Sequence, residues 1–133
     1  MATGGLTDEE YREKAKELST LIAQVGSFLC TLCQYDGGAA LQEHALDMDR
    51  VLYDNMSERV AEATRALATT QLMLGRYQDA LDNLHLALGI YGHLTRAEPK
   101  ARVEYAQTLF EIARVARYTE DSSARTPEGE PHT

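Results

Sequence analysis

Cysteine, proline and long apolar runs are scarce in this sequence of 133 residues. It contains 2 cysteines and 3 prolines, and its longest uncharged run, from Leu18 to Tyr35, is interrupted by serine, threonine, glutamine and glycine. Such a run is too polar to cross a membrane. The acidic start of the chain, Asp8-Glu9-Glu10, lacks the basic end of a signal peptide. Because Cys30 and Cys33 lie too close together for a disulfide to brace a fold, we expect reduced thiols and a cytoplasmic protein.

Basic side chains are also in the minority. The sequence has 13 lysines and arginines against 21 aspartates and glutamates, which gives a formal net charge of −8. An acidic surface repels phosphate backbones and anionic lipid headgroups, so we expect neither nucleic acid nor a membrane as partner. A protein or peptide partner with a basic surface fits this charge better. A chain of this length can bury a core of its own, and we therefore expect no metal ion and no cofactor.

Glycine and proline stand between long segments in which alanine and leucine recur at helical spacing, and the alternation typical of strands is absent. The sequence therefore predicts an all-α protein made of antiparallel helical hairpins. Thr7 and Glu10 form a capping box at the start of the first helix. Five helices are predicted. The first runs from Thr7 to about Gln34, and the second follows Gly37-Gly38 and runs to about Tyr53. The third is capped by Asn55 or Ser57 and runs from about Glu58 to Leu74, the fourth from about Tyr77 to Leu94, and the fifth from Pro99 to about Tyr118. We assign residues 1–6 to a flexible N-terminus, 7–118 to a helical domain and 119–133 to a disordered acidic tail.

The predicted helices contain an internal repeat. Residues 61–88 hold Leu67-Ala68, Gly75-Arg76-Tyr77, Ala80-Leu81, Leu84 and Ala87-Leu88. The same pattern stands 42 residues earlier in Val25-Gly26, Cys33, Tyr35, Gly38 and Ala45-Leu46. Small residues at these positions let helix backbones approach each other, while the large apolar residues fill the space between hairpins.

This pattern resembles the tetratricopeptide repeat, and its 42-residue period is similar to that of the long repeats in kinesin light chains. The resemblance implies two repeats, Ser19–Leu52 and Ala61–Leu94, followed by a capping helix over Pro99–Tyr118. A further step of 42 residues places Leu109-Phe110 at the crossing point of that last helix, whereas residue type favours Ile112-Ala113. Both registers stay open at this point.

In tetratricopeptide domains the first helix of each hairpin lines a concave groove that holds a segment of a partner protein. The resemblance implies a partner-binding groove lined by Thr20, Ala23, Ser27, Cys30 and Thr31 of the first repeat, by Glu62, Arg65, Thr69, Leu72 and Met73 of the second, and by Glu104, Gln107, Glu111 and Arg114 of the last helix. Arg65 is the well-placed cation of this set. Ser27 and Thr69 stand where members that clamp a terminal carboxylate carry asparagine, so we expect no such clamp. As an alternative, some of these residues, Leu72 and Met73 above all, pack against a neighbouring helix.

No catalytic or metal-binding motif stands out. The sequence lacks a glycine-rich phosphate loop, a GxSxG elbow and an HExxH helix. Cys30, Cys33 and His44 are too few ligands for a structural zinc site. Paired acids such as Asp47 and Asp49 are interpreted as solvated faces, because general acid–base chemistry needs a pocket that desolvates one of the pair. We therefore expect no enzymatic activity.

The resemblance implies a non-catalytic protein-interaction module, an adaptor or scaffold subunit that binds a partner through its groove or its repeat edge. The alternative is a small acidic chaperone of the tetratricopeptide type that holds an aggregation-prone client. Two repeats make a short array, because each repeat buries its face on a neighbour, so we expect a second copy or a partner chain to cover an exposed edge. The acidic second helix and the basic last helix are suited to meet head to tail between copies or to face different partners.

Overall fold

The computed structural model describes the backbone of residues 5–124 and the side chains of residues 5–120. Within this range the chain forms five helices: α1 (Asp8–Thr31), α2 (Tyr35–Leu52), α3 (Glu58–Met73), α4 (Tyr77–Leu94) and α5 (Ala101–Ala124). Each helix packs mainly against the helix that precedes or follows it along the chain. The described residues contain no strand, so the prediction of an all-α fold of helical hairpins is confirmed. Most of the predicted flexible N-terminus and the last part of the predicted tail lie outside the described residues.

The first two hairpins repeat each other at the predicted period. The second helices of the two hairpins begin at Tyr35 and Tyr77 and end at Leu52 and Leu94, 42 residues apart at both ends. The turns inside the hairpins also correspond, since Cys33 (φ 63°) and Gly75 (φ 78°) both adopt the left-handed backbone conformation. Glycine enters this conformation at little cost, whereas a cysteine there is uncommon. Cys33 is therefore the degenerate counterpart of Gly75, as the repeat alignment predicts.

Three helix boundaries next to turns differ from the predicted ones. α2 begins at Tyr35, so Gly37 and Gly38 lie in its first turn and not ahead of it. α1 ends at Thr31 and not near Gln34, so Cys33 lies in the turn after the helix. α5 begins at Ala101, so Pro99 lies in the turn that precedes the helix and not in its first turn.

Side-chain caps fix the starts of α1 and α3. The Thr7 hydroxyl accepts a hydrogen bond from the Glu10 N–H at 3.1 Å, and the Thr7 N–H donates to Glu10 Oε1 at 2.8 Å, which completes the predicted capping box. Ser57, and not Asn55, caps α3, where its hydroxyl accepts from the Val60 N–H at 3.3 Å. Both caps satisfy N–H groups that have no partner inside the helix.

α1 and α2 cross with their backbones close together. Gly26 and Gly38 meet at this crossing, where a Cβ added to Gly38 would lie 2.9 Å from the Gly26 carbonyl oxygen and would overlap Cys30 Sγ. Ala68 and Ala80 hold the equivalent positions in the second hairpin, and both are buried. The small residues that the sequence places at the crossings therefore do allow the backbones to approach.

Two clusters of buried side chains form the core. The first joins α2, α3 and α4 and consists of Ala39, Leu46, Val60, Ala61, Leu67, Ala87, Ile90 and Tyr91. The second joins α3, α4 and α5 and consists of Ala68, Ala80, Leu84 and Val115. Because α5 supplies Val115 to the second cluster and Tyr105 to the rim of the first, it is packed onto the second hairpin as a cap.

The end of α5 corrects the predicted domain boundary. The helix continues to Ala124, past the predicted end near Tyr118, so residues 119–124 are helical although the sequence predicts a disordered tail there. No glycine or proline interrupts this segment, and the Thr119 hydroxyl donates to the Ala116 carbonyl at 2.8 Å. A polar segment without a breaking residue continues a helix that is already formed, because each added residue gains a backbone hydrogen bond.

We expect Gly38→Ala to lower the free energy of unfolding by about 2 kcal/mol, because the added methyl group meets the backbone of α1 and forces the two helices apart. Gly89→Ala is the control, since no atom lies within 4 Å of a Cβ at this position in α4. Alanine is the better helix former, so the control should gain about 0.5–1 kcal/mol. Urea unfolding followed by circular dichroism measures both changes. Wild-type stability in Gly38→Ala would contradict the close crossing.

Candidate functional site

An open groove runs between α1 and α3, the first helices of the two hairpins. It contains a depression of about 370 Å³. The lining consists mostly of small or short polar side chains: Thr20, Ala23, Gln24 and Ser27 of α1, Asp49 of α2, and Arg59, Glu62, Ala63 and Ala66 of α3. The structure thus brings together four of the predicted groove residues, Thr20, Ala23, Ser27 and Glu62.

Asp49 and Arg59 form the polar centre of the groove, and neither belongs to the predicted set. The Asp49 side chain, interpreted from the sequence as part of a solvated face, is only 1% exposed. Its carboxylate accepts hydrogen bonds from the Ser19 hydroxyl at 2.5 Å and from Arg59 Nε at 3.3 Å. Arg59 Nη2 donates to the Thr20 hydroxyl at 2.7 Å, and its guanidinium lies over the Tyr53 ring at 5.4 Å. This network joins α1, α2 and α3 at one point.

Arg65, the cation predicted for the groove, is engaged within the chain. Its Nε and Nη2 donate to the two carboxylate oxygens of Glu111 at 2.9 and 3.0 Å, and its Nη1 donates to Glu104 at 2.8 Å. Nη2 also donates to the Gln107 side chain at 3.2 Å. The hydrogen bonds with Glu111 are the main reason that the pKa of Arg65 is raised above its ordinary value. Four predicted groove residues therefore bind one another and tie α5 to α3.

Glu62 differs from these residues because it forms no ion pair among the described residues and lies near the carboxylates of Glu58 and Glu104. Glu62 is exposed, but its partial desolvation in the groove raises its pKa above the ordinary value, Glu58 and Glu104 raise it further, and Arg59 partly opposes them. Glu62 also lines a second depression of about 240 Å³, together with Arg65, Ala66, Thr69, Tyr91 and Glu104. The Tyr91 hydroxyl lies in a buried environment that raises its pKa to about 12. The middle of the groove therefore contains a carboxylate whose charged form a cation from outside the chain would stabilise.

Three further predicted residues lie at helix contacts or at the end of the groove. Cys30 Sγ lies 3.3 Å from the Thr70 hydroxyl, so this thiol sits between α1 and α3. Leu72 packs against the second core cluster beside Val115, as the alternative interpretation allows. Met73, the last residue of α3, is exposed.

The last three predicted residues keep exposed positions. The hydroxyls of Thr31 and Thr69 donate to the carbonyls of Ser27 and Arg65 one turn earlier in the same helix, at 3.1 and 3.2 Å. Arg114, on α5, is exposed and lies near Thr69 of α3. These three side chains lie towards the far end of the groove, beyond Glu62.

Cys30 and Cys33 are both free thiols. In the part of the chain that the structure describes, no three histidine, cysteine or acidic side chains are grouped closely enough to hold a metal ion. Nor does any described helix combine the length and the hydropathy that a membrane span requires.

We expect Arg65→Met to lower the free energy of unfolding by about 1–3 kcal/mol, because it leaves Glu104 and Glu111 without their common partner. Arg114→Met is the matched control, since Arg114 is exposed and forms no ion pair among the described residues. The control should change stability by less than about 0.5 kcal/mol. Urea unfolding of both variants measures the difference, and equal losses would show that Arg65 does not hold α5.

The raised pKa of Glu62 predicts a pH-dependent effect on stability. A carboxyl group whose pKa is higher in the folded protein than its ordinary value of 4.5 loses stabilising free energy as the pH rises through the folded-state pKa. We therefore expect Glu62→Gln to be more stable than the wild type near pH 7, with a difference that shrinks towards about pH 4. Thermal melting across this range measures it. Glu43→Gln, at an exposed site on α2, serves as the control, and a difference independent of pH would contradict the prediction.

A family model for the tetratricopeptide repeat matches residues 16–92. The matched segment covers most of α1, all of α2 and α3, and nearly all of α4, which are the two predicted repeats. Comparison with curated proteins and with solved structures gave no match. The likeness to the long repeats of kinesin light chains stays a prediction, because the family model covers the repeat in general. Since the match spans more than half of the sequence and agrees with the observed hairpins, the chain belongs to the tetratricopeptide-repeat family.

Proposed function

We propose that this protein is a non-catalytic adaptor that holds a segment of a partner protein in the groove between α1 and α3. Tetratricopeptide repeats generally mediate protein–protein interaction, and the family is typically non-catalytic. The observation that carries the proposal is Glu62, which lines both depressions of the groove and lies near the carboxylates of Glu58 and Glu104. A lysine or arginine of the partner that reaches Glu62 relieves this repulsion and gains a charge-assisted hydrogen bond.

The rest of the groove is suited to a peptide backbone. Ala23, Ser27, Ala63 and Ala66 have short side chains, so they leave room beside Glu62 for the backbone and small side chains of a partner segment. The net charge of −8 also favours a basic segment, because it speeds the approach of positively charged chains. We therefore propose a partner segment that places a basic residue between small ones.

The groove lining favours the adaptor over the chaperone alternative. A chaperone that holds unfolded clients needs a broad apolar surface that accepts many sequences. Within the groove, small side chains are combined with the carboxylate of Glu62, so a partner segment without a matching cation is disfavoured there. This chemistry supports selective binding of a particular segment.

A cytoplasmic location is part of the proposal. Both thiols are free, and Cys33 is exposed in the turn between α1 and α2. Exposed thiols persist in compartments that keep cysteine reduced. An adaptor that works inside the cell meets this condition.

Peptides selected by the wild type from a random library displayed on phage test the groove. We expect a lysine or arginine at one fixed position of the selected peptides. With a fluorescent copy of a selected peptide, Glu62→Arg should raise the dissociation constant by about tenfold or more, because a cation then faces a cation. Glu43→Arg makes the same charge change on the exposed side of α2 and should stay within about twofold of the wild type.

Two results would refute this proposal. Selected peptides without a preferred basic position would show that Glu62 does not guide recognition. Equal affinities of the wild type and Glu62→Arg for the same peptide would place binding outside the groove. Folding of each variant is checked by its circular dichroism spectrum and melting temperature.

A further inference from the structure

α5 corresponds to the first helix of a third repeat whose second helix is missing from the described chain. Glu62 of α3 and Glu104 of α5 stand 42 residues apart and line the same depression, as equivalent positions do. Ile112 packs against the second core cluster, so it faces the preceding hairpin. The register that puts Ile112 at the crossing with a following helix is therefore wrong, and Leu109-Phe110 occupies that position.

The side of α5 that would meet this missing helix is apolar and uncovered. We call Val103, Leu109 and Phe110 the α5 edge, and these residues are 45% to 66% exposed. Their counterparts in α3, which α4 covers, are at most 4% exposed: Ala61, Leu67 and Ala68. No described helix follows α5 along the chain. The α5 edge thus has the side chains of a helix contact without the helix.

The opposite end of the array has a matching apolar stripe on α1. We call this stripe the α1 edge, and it consists of Leu18, Leu21, Val25, Phe28 and Leu32. These residues follow one another in steps of three and four, which places them on one side of a helix, and each is 43% to 60% exposed. Ser19 and Gly26, which contact α2, lie on another side of α1.

The charges of the two edges are complementary. Arg114 and Arg117 in the second half of α5 are exposed and form no ion pair among the described residues, while Glu104 and Glu111 are bound to Arg65. α1 carries Glu13 and Glu17 in its first half, where each forms an exposed pair with a lysine of the same helix. Both helices have 24 residues. When they lie antiparallel over their full length, Arg117 and Arg114 stand opposite residues 15 and 18 of α1, close to Glu13 and Glu17. In the same arrangement the apolar second half of α1 meets the apolar first half of α5.

We propose that copies of this chain associate head to tail, with the α1 edge of one copy on the α5 edge of the next. α1 then covers the side of α5 on which the second helix of a third repeat would pack, at a wider spacing because Phe110 stands where α3 has Ala68. The contact removes apolar side chains of both edges from water and brings arginines to carboxylates. Because each copy uses two different surfaces, the association does not close at a dimer and gives short linear oligomers. The groove at Glu62 lies outside both edges, so self-association and groove binding are tested separately.

Sedimentation velocity of the full chain tests this contact. We expect the average sedimentation coefficient of the wild type to rise between about 5 and about 500 µM, as for a reversible association. Leu21→Glu and Phe110→Glu should each stay monomeric, because every copy then lacks one functional edge. An equimolar mixture of the two variants should form a 1:1 dimer, because one variant keeps the α1 edge and the other keeps the α5 edge. Leu86→Glu, an exposed site on α4, is the control that should assemble like the wild type.

Three outcomes would overturn the proposal. A wild type that stays monomeric at every concentration shows that the edges do not bind a second copy. Self-association of Phe110→Glu alone shows a symmetric contact between two α1 edges. A mixture that stays monomeric shows that the two edges do not meet. If Leu21→Glu or Phe110→Glu fails to give a folded circular dichroism spectrum, the mixing experiment is done with Phe28→Glu and Val103→Glu in place of both.

Discussion

The close approach of helix backbones at small residues is the constraint on which the rest of this array depends. Gly26 with Gly38, and Ala68 with Ala80, leave so little side chain at the crossings that each hairpin closes tightly. Two hairpins of the same shape then stack in the same way, which sets their first helices side by side. The groove between α1 and α3 follows from this stacking, and larger residues at the crossings would remove it.

The charges in and beside the groove divide into two groups with different tasks. Asp49 with Arg59 and the carboxylates around Arg65 are paired within the chain, and they fix how α1, α2, α3 and α5 lie against one another. Removing either arginine leaves its carboxylate partners without a counter-ion, which lowers the free energy of unfolding. Glu62 belongs to the other group, because it forms no ion pair among the described residues and the carboxylates of Glu58 and Glu104 oppose its charge. A side chain whose charged form is disfavoured in the folded protein is a better candidate for recognition than one that holds helices together.

Local signals in the sequence predicted the helices and their repeat well, and contacts between distant residues account for what they missed. The bounds of α4 and the left-handed turn at Gly75 follow from spacing and from glycine, which act over a few residues. The partners of Arg65 stand 39 to 46 residues away, and no local pattern shows that they meet. Asp49 did carry a signal, since it lies three residues after buried Leu46 and so shares its face of α2.

The position of Glu62 also links recognition to protons. A cation bound beside this carboxylate lowers its pKa again, so over the pH range between the two pKa values complex formation releases a proton. The observed heat of binding then includes the ionisation enthalpy of the buffer. In the proposed complex acidification therefore opposes binding by mass action, although no histidine lines the described depressions of the groove.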